Sequence, residues 1–100
     1  MTSLTDDAVR NPIIDCHAHI FSADMPVTSG AWITPDYAFT ADDLLARMDA
    51  LGIHFAVISA LSISGSYNDY LISELRRHKR LRGTAIVPPG TDFYVLERMR

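Results

Sequence analysis

The sequence predicts an α/β fold of three consecutive strand-helix units with parallel strands, the first part of a (β/α)8 barrel. Apolar strand-like runs alternate with amphipathic helical stretches along the chain, and no hairpin signal separates them. An open nucleotide-binding sheet would carry a Gly-rich turn after its first strand, and "HIFSADMP" has none. A barrel instead places catalytic side chains at the C-terminal ends of its strands, where His17 and His19 fall.

The first strand is predicted over "IDCHAHIF", residues 14–21. Side chains alternate between the two faces of a strand, so one face should carry Asp15, His17 and His19. The other face should be apolar and turned toward the surrounding helices, and it includes Cys16. As the only cysteine, Cys16 forms no internal disulfide, and we expect it to be a small buried side chain without a chemical role.

A long irregular loop and the first helix follow this strand. Residues 22–39 are rich in Pro, Gly, Ser and Asp and show no helical period, and loops of this length are often functional. Thr40 is a predicted N-cap of the helix in "TADDLLARMDALG", which has acidic residues in its first turn. Gly52 is the predicted C-terminal stop.

The second unit begins with "IHFAVISAL", residues 53–61, a continuous apolar run that predicts a strand buried on both faces. A loop rich in Ser and Gly leads into a helix predicted over residues 67–79, where apolar and aromatic side chains recur at helical spacing. Ser66 or Asn68 is its predicted N-cap.

The third unit is predicted as a strand over residues 81–88 and a helix within residues 90–100 that Thr91 caps. Residues 1–11 form a short polar lead-in without the apolar core of a secretory signal. We therefore expect residues 1–100 to belong to one barrel domain.

Composition excludes several functional classes. The chain has 100 residues, 48% of them apolar, and a formal charge of -3, which is typical of a globular domain. This weakly acidic balance gives no broad basic surface for nucleic acid. No apolar run approaches the roughly 20 residues of a membrane helix, so we expect a cytoplasmic protein.

The D-x-H-x-H pattern of Asp15, His17 and His19 resembles the first-strand signature of the amidohydrolase superfamily. The later segments, including "PDYAFTADDLLARMDALGIHFAVI", "GSYNDYLISEL" and "RLRGTAIV", are similar to its amidohydrolase-related branch, which contains the 2-pyrone-4,6-dicarboxylate lactonases. The resemblance implies a lactonase-like hydrolase in which His17 and His19 are catalytic and bind a divalent metal, Zn or Mn. Metal-independent catalysis is the alternative, with the same histidines holding or polarising the lactone.

Other candidate residues lie in the loops at the same end of the strands. Ser62 and Ser64 carry hydroxyl groups that could bind a substrate carboxylate, although turn chemistry alone also explains serine there. The loop aromatics Trp32 and Tyr37 either cover a substrate pocket or pin the long loop to the barrel rim. The expected partner is therefore a small carboxylated molecule.

The length of the chain leaves several functional hypotheses open. A barrel needs about 250 residues, so we expect the chain to be an incomplete N-terminal part of such an enzyme, completed by an oligomer or by the remainder of the barrel. A metal-dependent decarboxylase of the same barrel family is a second functional hypothesis. A non-catalytic fragment or interaction module is a third.

Overall fold

The computed structural model describes residues 11–100 and contains one parallel sheet with the strand order β1-β2-β3. The strands are β1 (Ile14–Ala18), β2 (Phe55–Ser59) and β3 (Leu81–Thr84). The helices are α1 (Ala41–Leu51), α2 (Asp69–Arg77) and α3 (Phe93–Met99). This order confirms the predicted fold class, three βα units of a partial barrel. Of the predicted lead-in, residues 1–10 lie outside the described part of the chain.

Helix α1 has both of its predicted ends. Thr40 is the N-cap, its hydroxyl oxygen accepts the Asp43 N–H at 3.3 Å, and the Asp43 carboxylate accepts the Thr40 N–H at 2.9 Å. This reciprocal capping box satisfies two of the otherwise unpaired first-turn donors. Gly52 ends the helix with φ 72° and ψ 25°, a left-handed conformation that glycine adopts at little cost.

The core lies between one face of the sheet and helices α1 and α2. Its buried side chains come from the strands (Ala56, Ile58 and Leu81), from the helices (Ala41, Leu44, Met48 and Leu71) and from Ile20. Ala56 and Ile58 are buried while their neighbours in β2 are only half-buried. The prediction that both faces of this strand are buried is therefore wrong for the described residues, because helices cover one face only.

The apolar face of β1 also differs from its prediction. Ile14 is 50% exposed and Cys16 is exposed, whereas Ile20 beyond the end of the strand is buried. β1 is an edge strand with β2 on one side, so part of its apolar face has no covering element in the described residues. The expected burial of Cys16 is therefore wrong here.

The predicted ends of the last two helices need correction. Asn68 occupies the N-cap position of α2, but its side chain forms no capping hydrogen bond. The N-cap of α3 is Asp92, and Thr91 instead donates its hydroxyl hydrogen to the Pro88 carbonyl at 2.6 Å. Predicting Thr91 as the cap was wrong because a neighbouring turn uses its hydroxyl group. No helix within residues 11–100 meets the length and hydropathy needed to cross a bilayer.

Candidate active site

The register between β1 and β2 shifts between Asp15 and Ala18, the stretch that contains His17. Asp15 pairs with Ala56, whereas Ala18 pairs with Ile58, so three steps along β1 oppose two along β2. The strict alternation expected for Asp15, His17 and His19 is interrupted at this point. The Asp15 carboxylate accepts the backbone N–H of His17 at 3.0 Å. Asp15 therefore contacts the irregular backbone that presents His17.

His17 and His19 converge at the C-terminal end of β1. Their Nε2 atoms lie 3.3 Å apart, and their ring planes meet at 78°. The Nδ1 of His19 is 2.8 Å from the carbonyl oxygen of Ser59, the last residue of β2. A carbonyl oxygen only accepts, so His19 Nδ1 carries the hydrogen, and in the neutral ring Nε2 presents a lone pair. One backbone carbonyl thus selects the His19 tautomer.

The histidines form one wall of a cavity of about 520 Å³, which lies within the size range of small-molecule sites. The loop after β1 contributes Phe21, Trp32, Ile33, Pro35 and Tyr37, and the end of β2 with its following turn contributes residues 59–63. The lining is mostly aromatic and aliphatic apart from the imidazoles and hydroxyl groups. Such a surface can bind the body of a small ring while the polar groups orient it.

Backbone hydrogen bonds at two places hold the long loop, residues 22–39, beside this cavity. Phe21 and Phe39 exchange backbone hydrogen bonds of 2.8 and 3.0 Å across an antiparallel bridge, which closes the two ends of the loop. The Thr28 N–H donates to the Ile63 carbonyl at 2.7 Å. Tyr37 packs edge-to-face against Phe21 with ring centroids 5.3 Å apart. The Tyr37 ring thus contacts Phe21 at the start of the loop and also lines the cavity.

Four of the five predicted site residues, His17, His19, Tyr37 and Ser62, line the same cavity. Ser64 does not. It is buried in the 3-10 turn Ser62–Ser64 and lines a separate cavity of about 70 Å³ under the long loop.

Sequence reasoning missed other contributors to the cavity wall. Phe21, Ile33 and Leu61 carry no chemical signature in the sequence, and the Ser59 carbonyl is a backbone group. Apart from their place in the segments that follow β1 and β2, no sequence signal could have identified them.

The imidazole pair suits a divalent cation in one respect. Two nitrogens that each lie about 2.0–2.1 Å from a tetrahedral zinc ion are about 3.3–3.4 Å apart. The 3.3 Å Nε2 separation already has this value, and His19 Nδ1 is occupied by a carbonyl, as is usual for metal-binding histidines. Within residues 11–100 no group of three or more His, Cys, Asp or Glu side chains could hold a metal ion. The described residues thus offer two nitrogen donors.

No family model and no curated protein matches this sequence. Solved structures do. A candidate 2-pyrone-4,6-dicarboxylic acid hydrolase from Acinetobacter baumannii, solved with citric acid bound, is similar with a TM-score of 0.83 and 28% identity over 87% of this chain. A second candidate 2-pyrone-4,6-dicarboxylic acid hydrolase, from Pseudomonas putida, has a TM-score of 0.77 and 30% identity over 88% of this chain. These two neighbours confirm the resemblance to pyrone-dicarboxylate hydrolases.

A protein from Agrobacterium tumefaciens, solved in an apo structure, has a TM-score of 0.75 and 17% identity over 87% of this chain, and it supports the fold alone. The chain spans only part of its neighbours. It aligns with 33% of the Acinetobacter and Pseudomonas chains and with 32% of the Agrobacterium chain. The three βα units therefore correspond to about one third of each neighbour.

Proposed function

We propose that the cavity beside His17 and His19 is part of the active site of a hydrolase that opens a small carboxylated lactone. The observation that carries this proposal is the convergence of the two Nε2 atoms, 3.3 Å apart, on the 520 Å³ cavity at the C-terminal end of β1. Active sites of (β/α)8 enzymes lie at this end of the strands. The two hydrolase neighbours support the reaction class.

The lining of the cavity and the two hydrolase neighbours support this substrate class. The apolar surface of Phe21, Trp32 and Ile33 suits a flat ring, and both neighbours are named for the hydrolysis of a pyrone dicarboxylic acid. The hydroxyl groups of Tyr37 and Ser62 could each donate a hydrogen bond to a substrate carboxylate. Citric acid, bound in the Acinetobacter structure, is likewise a small polycarboxylate.

The two histidines have distinct tasks in this proposal. The Ser59 carbonyl holds His19 with its Nε2 lone pair toward His17. That nitrogen can accept a proton from an attacking water molecule or bind a cation, and His17 Nε2 can donate to the lactone carbonyl oxygen or bind the same cation. A bound Zn²⁺ or Mn²⁺ would polarise the carbonyl and make a water molecule more acidic.

The test combines hydrolysis with binding. Purified chain is mixed with 2-pyrone-4,6-dicarboxylate, and loss of the pyrone absorbance reports ring opening while the fluorescence of Trp32, the only tryptophan, reports binding. We expect the variant carrying His17→Ala and His19→Ala to lose about a hundredfold or more in kcat/KM. His78→Ala is the matched control, since it removes an imidazole that contacts Glu74 at 3.2 Å and does not line the cavity.

Hydrolysis at an unchanged rate in the double histidine variant would refute the proposal. Release of carbon dioxide without ring opening would instead favour the decarboxylase hypothesis. Titration with Zn²⁺ separates the cation question from catalysis, because a ligand at 100 times its Kd stabilises the folded state by about 2.7 kcal/mol. We expect Zn²⁺ to raise the Tm of the native chain and of the His78→Ala control, but not of the double variant.

A further inference from the structure

The cavity wall that follows β2 is a single hydrogen-bonded unit, residues 61–68. Backbone bonds of 3.0–3.1 Å run from Ser64 N–H to the Leu61 carbonyl, from Gly65 N–H to the Ser62 carbonyl and from Tyr67 N–H to the Ser64 carbonyl. These short-range bonds make the segment move together, and Leu61, Ser62 and Ile63 within it line the histidine cavity. The position of the wall therefore depends on what anchors the unit to the rest of the fold.

Asn68 supplies the anchor at the end of the unit. Its side chain is buried, with 4% exposure for the residue, and its Oδ1 accepts the Ile86 N–H at 3.1 Å. Its Nδ2 donates to the Ile86 carbonyl at 2.8 Å and to the Ser66 carbonyl at 3.0 Å. The amide thus pairs with both backbone groups of Ile86, as a neighbouring strand would, two residues beyond the end of β3 at Thr84.

The same side chain does not cap α2, although Asn68 stands at its N-cap position. Asparagine is a preferred N-cap because its oxygen can accept from the first helical turn. Here that oxygen is committed to Ile86 instead. Helix α2 therefore lacks a side-chain capping hydrogen bond, because the Asn68 side chain connects two loops instead.

A second hydrogen bond links residues 61–68 to the opposite wall of the cavity, which the long loop forms. The Ile63 carbonyl accepts the Thr28 N–H at 2.7 Å, so the long loop that contributes Trp32 and Tyr37 is attached to the same unit. A shift of residues 61–68 relative to Ile86 would displace both walls against the histidines. The Asn68 side chain at the centre of these bonds is buried, so loss of one of its partners leaves a buried polar group unsatisfied.

We propose that Asn68 is a positioning residue that sets the shape of the histidine cavity by locking residues 61–68 to the exit of β3. It touches no cavity surface itself and acts through Leu61, Ser62 and Ile63. Its effect on ligand binding rests on the proposed function, whereas its effect on the loop does not. Substitution should therefore weaken binding of the carboxylated ring while the sheet core remains folded.

The experiment compares Asn68→Asp and Asn68→Ala with the native chain, and Asn11→Asp is the matched control because Asn11 is exposed. Asn68→Asp keeps an acceptor for the Ile86 N–H but loses both donors, whereas Asn68→Ala removes both functions without adding charge. Hydrogen exchange is followed at the amides of Thr28, Tyr67 and Ile86. We expect Thr28 and Tyr67 to exchange at least tenfold faster in both variants.

The Ile86 amide should be accelerated more in Asn68→Ala than in Asn68→Asp, because only alanine removes its acceptor. Amides of Ala56 and Ile58 in β2 should exchange as in the native chain, which shows that the fold is kept. Titration with 2-pyrone-4,6-dicarboxylate, read by Trp32 fluorescence, should show a Kd at least tenfold higher in both variants than in the Asn11→Asp control. KM should rise more than kcat falls.

Native exchange rates at Thr28 and Tyr67 in Asn68→Ala would overturn the proposal, as would an unchanged Kd together with accelerated exchange. If the native chain neither binds nor opens the pyrone, the proposed function fails, and the exchange data alone then support or overturn the positioning role. If Asn68→Asp does not fold, Asn68→Ala decides, because it adds no buried charge.

Discussion

Substituting Gly65 by alanine tests how tightly the long loop packs on the cavity wall. Gly65 has φ 58° and ψ -129°, and a Cβ atom there would lie 3.0 Å from Cγ2 of Thr28. The backbone strain of a non-glycine residue in such a region costs roughly 1–3 kcal/mol. If Thr28 retreats, its hydrogen bond to Ile63 is lost at a further cost of about 1 kcal/mol. We expect Gly65→Ala to lower the free energy of unfolding by about 2–4 kcal/mol.

Alanine substitutions at three other glycines separate backbone strain from steric crowding as the cause of the loss in stability. Gly52→Ala introduces left-handed strain alone, since φ is 72° and nothing lies within 4 Å of its Cβ position, and should cost about 1–2 kcal/mol. Gly83→Ala introduces crowding alone, 2.5 Å from Leu75 Cδ1 and 3.3 Å from the Ile58 carbonyl oxygen, and should cost about 1–3 kcal/mol. Gly30→Ala introduces neither and should stabilise by about 0.4–1 kcal/mol.

Urea unfolding followed by circular dichroism gives the free energy of each variant, and comparable m values confirm that the same transition is compared. Hydrogen exchange at the Thr28 amide locates the damage in Gly65→Ala. If Gly65→Ala were no less stable than Gly52→Ala and kept native Thr28 exchange, the close approach of loop and turn would be refuted. The cavity walls would then not be packed as the structure shows.

Two further predictions concern the α1 region. Thr40→Ala should lower stability by about 1 kcal/mol in thermal unfolding because it removes one half of the capping box, and Thr91→Ala should cost less because Thr91 caps no helix. Burial raises the pKa of the Tyr70 phenol above its usual 10.0, and the nearby Glu74 carboxylate adds to the rise although the hydrogen bond from Ala41 N–H opposes it. The folded state therefore holds this proton longer, so stability should fall as pH rises above about 10, and Tyr70→Phe should lessen that slope. An identical slope in Tyr70→Phe would contradict this assignment.

Local rules predicted most of the secondary structure. The helix from Ala41 to Leu51 follows from a cap, an apolar stripe and a terminal glycine, all of which act within a few residues. The parallel order of the sheet follows from alternation of strands and helices. The hydrogen-bond partners of Thr91 and Asn68 were harder to predict. Backbone groups at Pro88 and Ile86 compete with the helix ends for these two side chains.

The candidate site was predicted in part. His17 and His19 were selected because imidazoles at alternate positions of an apolar strand bind metals or move protons, and Tyr37 and Ser62 were selected from their place in the following loops. All four line one cavity. The register shift after Asp15 could not be predicted, since it depends on how β1 pairs with β2. The exposure of Cys16 likewise reflects the absence of a covering element in the described residues.

By itself, the sequence determined the βα order, the ends of α1 and the presence of a histidine pair at the end of the first strand. Only the tertiary structure decided that the pair meets at 3.3 Å, that the Ser59 carbonyl selects the tautomer of His19, and that Asn68 holds Ile86. The physical reason is the sequence separation over which each kind of interaction acts. Caps and periodicity act over three or four residues, whereas the Asn68–Ile86 and His19–Ser59 hydrogen bonds join residues 18 and 40 positions apart. The His19–Ser59 bond in turn fixes the His19 ring that approaches His17.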